Sequence, residues 1–175
     1  MKPHALALIL AAGLAQTAGA DTRAVLLEDG AGERIHIATL EVDRTGGYTL
    51  TMEEEPFTDH FLSMRPFKCL EGPGKHWCHL PYPYEIARSI AQDYTDLEYD
   101  FLFIWKGATE YGINMWNGIY YRIEAEGDAL VGVAHEMDMD LLSAPPDTNI
   151  LRPVRAQDVI ETDPASHWLP RLVIE

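Results

Sequence analysis

Short runs of alternating apolar and polar side chains, punctuated by glycine and proline turn signals, recur along most of this chain, and a period of two restricts it to a β-rich fold. In the first clear run Ile35, Ile37 and Thr39 share one face while His36, Ala38 and Leu40 share the other. Gly46-Gly47 then predicts a turn into a second alternating run from Tyr48 to Met52, so the two runs form a hairpin. Residues 61–70 are a further extended candidate, in which Pro66 argues for an edge or a bulge because proline lacks the amide hydrogen a ladder needs. Trp77 to Leu80 follows and is stopped by Pro81 and Pro83.

The second half carries the strongest pattern. Leu97, Tyr99, Phe101, Phe103 and Trp105 alternate with Glu98, Asp100, Leu102 and Ile104, which predicts a central strand. Beyond a turn at Asn117-Gly118, the runs Ile119 to Glu126 and Leu130 to Met139 flank Glu126-Gly127-Asp128 as a hairpin. The one helix candidate covers residues 84–92, where Ile86 and Ile90 lie a turn apart with Ala87 between them. After Leu142, Pro145-Pro146 and Pro153 dissolve the pattern. An irregular C-terminal tail is expected there, with a helical turn near residues 156–160 and Trp168 as a candidate anchor. The expectation is a mainly β protein: one compact antiparallel β-barrel or sandwich with one short helix and that tail.

Residues 1–20 read as a secretory signal peptide, with Lys2 as the positive start, Ala5 to Leu14 as the apolar stretch and Ala18-Gly19-Ala20 as the cleavage site. Residues 21–175 then form a single domain, and no later apolar run is long enough to span a bilayer. Export is the expected fate, to the periplasm in a Gram-negative cell and otherwise to the outside. The charge of −15, from 28 acidic against 13 basic side chains, disfavours nucleic acid and anionic lipid as partners and keeps an exported chain in solution.

Cys69 and Cys78 would meet oxidising conditions after export, and Gly72-Pro73-Gly74 between them turns the chain back, so a disulfide is expected. A metal set of Cys69, His76, Cys78 and His79 is the competing reading. Its spacing fits no common structural zinc pattern, and alternation sends Cys78 and His79 to opposite faces.

The most suggestive chemistry lies in His135-Glu136-Met137-Asp138-Met139-Asp140. Alternation places His135, Met137 and Met139 on one side, a set that suits Cu(I), and Glu136, Asp138 and Asp140 on the other, where calcium is the weaker match. Ordinary core packing of the methionines competes with the copper reading. No cofactor is required by any motif, and Gly-x-Ser-x-Gly, a phosphate-binding glycine loop and a His-Glu-x-x-His are absent.

Tryptophans 77, 105, 116 and 168 and the many tyrosines of the middle of the chain fill a core or line a cavity. In length, export, one disulfide and up-and-down strand order the chain resembles lipocalin-like exported barrels, although that family's early Gly-x-Trp is missing, the first tryptophan being Trp77. The resemblance implies a cavity, with Phe101, Phe103, Trp105, Tyr121, His135 and Met137 as candidate lining residues. The function expected is therefore non-catalytic binding of a small molecule, a metal ion or another envelope protein, with a carboxylate-dependent hydrolase as the alternative.

Overall fold

The computed structural model describes residues 20–147 and 150–175, so the expected signal peptide, apart from Ala20, lies outside the described residues. The strands are β1 (Asp21–Glu28), β2 (Arg34–Val42), β3 (Tyr48–Met52), β4 (Thr58–Phe61), β5 (Pro66–Glu71), β6 (Lys75–His79), β7 (Phe103–Gly107), β8 (Gly118–Glu126), β9 (Ala129–Met137), β10 (Val159–Glu161) and β11 (Arg171–Ile174). They form one antiparallel 11-stranded sheet in the order β3-β2-β1-β11-β9-β8-β7-β6-β5-β4, with β10 paired to β9 beside β11. The mainly β expectation is borne out, and the sheet does not close by hydrogen bonds.

Its curvature follows from connectivity. β3 and β4 stand at opposite ends of the strand order, yet only residues 53–57 join them. The six steps from Met52 to Thr58 reach about 22 Å at most, so the sheet has to curl until its ends nearly meet. Val25, Leu27, Ile37, Leu40, Leu70, Trp77, Phe101, Phe103, Ile119, Tyr121, Leu172 and Ile174 fill the concave side as one core. A second cluster, with Tyr82, Tyr99, Leu102, Ile104, Tyr120, Met137, Met139 and Leu142, lies apart from it.

Both expected hairpins form. Val42 and Tyr48 close β2 and β3, with Gly46 in the left-handed region at φ +87° and Asp43 Oδ1 accepting from the Gly47 amide. β8 and β9 pair from Gly118↔Met137 to Glu126↔Ala129, turning at Gly127 with φ +63°. Pro66 begins β5, where its missing amide costs nothing, and the expected single run 61–70 divides there into β4 and β5.

Three expectations are corrected. Residues 84–92 are not helical; the helix is α1 (Thr95–Asp100), inside the run read as a central strand, of which only Phe103 to Gly107 is strand. All-round burial is the reason. Asp96, Leu97, Glu98, Tyr99 and Asp100 are all buried, so no polar stripe marks the helical period and the alternation is accidental. The C-terminal tail is not irregular either, because β11 lies in the middle of the sheet, registered against β1 at Val25↔Ile174 and β9 at Val133↔Arg171. Leu172, Val173 and Ile174 are buried on both faces, which erases alternation there too.

Trp168 does anchor the tail: a Cβ added at Gly72 would collide with its ring, so the β5–β6 turn closes directly on the indole. Gly132 likewise makes room for Tyr121 and Leu172. The central place of β11 is checked by Leu172→Ala, which should lower unfolding free energy by about 2–5 kcal/mol in a denaturant titration. A loss within about 0.5 kcal/mol would mean that the segment is peripheral.

Candidate functional site

The hairpin of β5 and β6 is pinned by a disulfide between Cys69 and Cys78, which face each other in the ladder, as expected. The cysteines are therefore spent, and the four-ligand set of Cys69, His76, Cys78 and His79 does not exist. His79 turns elsewhere, its Nε2 donating at 2.9 Å to the carbonyl of Asp100 at the end of α1. His76 stays available. It stands opposite Glu71; His76 lies two residues before Cys78 and Glu71 two after Cys69, so alternation puts both side chains on the face that carries the disulfide.

β4 completes the arrangement. His60 pairs with Phe67 of β5, which shares the face of Cys69 and Glu71, and its Nε2 lies 2.9 Å from Glu71 Oε1. Its ring meets His76 edge to face at 4.8 Å between centroids. The donor atoms of His60, Glu71 and His76 all fall within 4.8 Å of one another. Ligands held at about 2.1 Å around a tetrahedral ion stand about 3.4 Å apart, so small side-chain rotations would suffice to bring the three onto one cation.

Electrostatics favour the neutral imidazole that a metal needs. Burial, then the nearby Lys106 ammonium, hold the His76 pKa below the ordinary 6.5. Its Nδ1 is buried with no hydrogen-bond partner among the described residues. Two imidazoles and one carboxylate form a donor set that suits zinc, copper(II), nickel or iron(II).

The residues singled out in the sequence are dispersed. Met137 and Met139 are buried at 1% and 0% exposure in the second cluster, where Gly118 leaves space for Met139. His135 lies in a shallow groove with Arg122, Glu124 and Glu161, its Nδ1 2.9 Å from the carbonyl of Val133. The acidic row is dispersed as well: Glu136 reaches His167, Asp138 caps a short helical turn through the Asp140 amide, and Asp140 is exposed. Phe101, Phe103 and Tyr121 are fully buried in the main core, while Trp105 lies 4.0 Å beneath the Lys75 ammonium.

By sequence alone His76 associates with the cysteines and His60 with its neighbour Asp59. In the structure Asp59 binds Lys68. The gathering of His60 with Glu71 and His76 depends on strand register, and no fixed spacing announces it. His167 stands near Asp163 in sequence, as ordinary surface composition would, but its side chain is 1% exposed. Its Nε2 faces Glu136 Oε1 and Thr162 Oγ1, both at 3.1 Å.

No family model matches this chain, and neither the curated proteins nor the solved structures contain a significant match to it.

Burial holds the imidazoles of His79 and His167 below the ordinary 6.5, opposed by the Asp100 carbonyl and by Glu136 respectively. Because unfolding releases both to an ordinary pKa, the unfolded chain takes up protons first as pH falls. The stability they contribute is therefore complete above pH 6.5 and is lost below it, toward the lower native values. Denaturant unfolding at about pH 7.5 and at about 5.5 should show lower stability at the acidic value, with a smaller difference in His167→Gln. Equal stability at both would show that neither histidine is held neutral by the fold.

Proposed function

We propose that this chain is an exported, non-catalytic β-domain that binds a divalent transition-metal ion through His60, Glu71 and His76. The observation that carries the reading is the convergence of two imidazoles and a carboxylate within 4.8 Å on the disulfide-pinned face of β4, β5 and β6. The disulfide and the β5–β6 and β6–β7 pairings hold Glu71 and His76 in place before an ion arrives, which lowers the ordering entropy that opposes its capture.

Export is supported by the disulfide, which is at home in oxidising compartments, and by the leader-like pattern of residues 1–20. No helix among the described residues is long and apolar enough to cross a membrane. The buried carboxylates favour binding over hydrolysis, because each is already engaged in holding the fold. Asp96 binds Arg152, Asp100 binds Arg88 and Tyr48, and Glu98 binds Tyr120 and the Ile123 amide.

Calorimetric titration of the oxidised protein with zinc, copper(II) and nickel should give one bound ion per chain for at least one of them. His60→Ala and His76→Ala should each weaken it more than about tenfold, since even outer-shell changes cost that much. His135→Ala should leave the affinity unchanged. Loss of binding in His135→Ala with retention in His60→Ala and His76→Ala would move the site to β9.

A further inference from the structure

The metal reading leaves one charged group on the same face unexplained. Lys106 pairs with His76 across β6 and β7, so its side chain emerges on the face of the donor set. It is 4% exposed, an uncommon depth for an ammonium. Its Nζ donates to the Gly107 carbonyl at 2.8 Å, its one hydrogen bond among the described residues, although an ammonium carries three protons. Among the described residues the lysine ion pair is Lys68 with Asp59, and Lys106 has no carboxylate partner. Glu110, the nearest carboxylate along the chain, is engaged by the Gly107 amide at 2.9 Å.

A buried ammonium on the same face as a bound divalent cation is repelled by it, and negative charge placed between them relieves the repulsion. Three protein donors leave coordination positions open for it. We propose that the ion held by His60, Glu71 and His76 takes a small oxyanion, a carboxylate or a phosphate, as its remaining ligand, with the Lys106 ammonium receiving the anion's other oxygen. The inference rests on the metal reading above and adds the class of molecule the site captures. Metal and lysine then act as the two ends of a clamp, and each strengthens the hold of the other.

The test uses the oxidised protein loaded with copper(II) and titrated with azide, whose binding to the ion is read from its charge-transfer absorption, with acetate as competitor. Saturable azide binding that acetate displaces is expected, weakened at least about tenfold in Lys106→Met and recovered in Lys106→Arg. Equal azide affinity in the wild type and Lys106→Met would overturn the clamp, as would a loaded wild type that takes up no azide. Should Lys106→Met fail to fold, reciprocity supplies the measurement in the wild type, because azide must raise copper affinity by the factor by which copper raises azide affinity. An unchanged copper affinity would overturn the proposal. A chain that takes up no copper, zinc or nickel instead overturns the metal reading beneath it.

Discussion

The sheet is held together where it would otherwise part by a carboxylate from one short helix. β7 gives β8 only two paired residues, Phe103↔Ile119 and Ile104↔Gly118, before the strands separate. Beyond that point the edge of β8 that faced β7 carries no strand partner among the described residues, and there Glu98 of α1 accepts from the Ile123 amide at 2.7 Å while also accepting the Tyr120 hydroxyl. Burial pushes the Glu98 pKa up, opposed by these same hydrogen bonds. Its neighbours repeat the device. Asp100 receives the Tyr48 hydroxyl at 2.8 Å and Arg88, and Asp96 receives Arg152 at 2.7 Å. Six residues of helix thereby tie β3, β8, the segment before α1 and the segment after Leu151 to one point. Removing one partner would strand a buried charge, so this hub holds its members together more firmly than its small size suggests. Arg88 bears the strain: its backbone sits at φ +49°, and its carbonyl accepts from the Tyr48 amide at 2.9 Å.

Most of the strand framework is legible in the sequence because most strands have one face toward the core and one toward water. The β2–β3 and β8–β9 hairpins announce themselves through alternation and through glycines that their turns need. Legibility fails where burial is complete. α1 and, beyond the exposed Arg171, β11 have no solvent face, so neither period can be written in their residues. β1, with Val25 and Leu27 buried behind a charged start, is silent for the same want of a long pattern. The disulfide is legible from compartment and turn chemistry together. The site is only half legible: His76 can be singled out, but His60 and Glu71 become its neighbours through the pairing of β4 with β5 and β5 with β6, which one sequence does not print.

The same hairpin explains why a ligand set can persist on an otherwise solvated face. Cys69 and Cys78 are buried with Leu62 and Phe67 beneath it, so Glu71 and His76 rise from a dry, cross-linked floor. Rigid strands spare the set the entropy that loop-borne ligands lose on binding. His135, Met137 and Met139, although more suggestive as letters, contribute to packing and to a different groove. Chemistry on this chain follows register more than motif.

A crystal of the oxidised protein grown with zinc would show whether His60, Glu71 and His76 bind one ion, as proposed. An anomalous difference map recorded at the zinc edge should show a single strong peak within about 2.0–2.2 Å of one donor atom from each of the three side chains. A strong peak at His135 or another cluster, with none between β4, β5 and β6, would rule this site out.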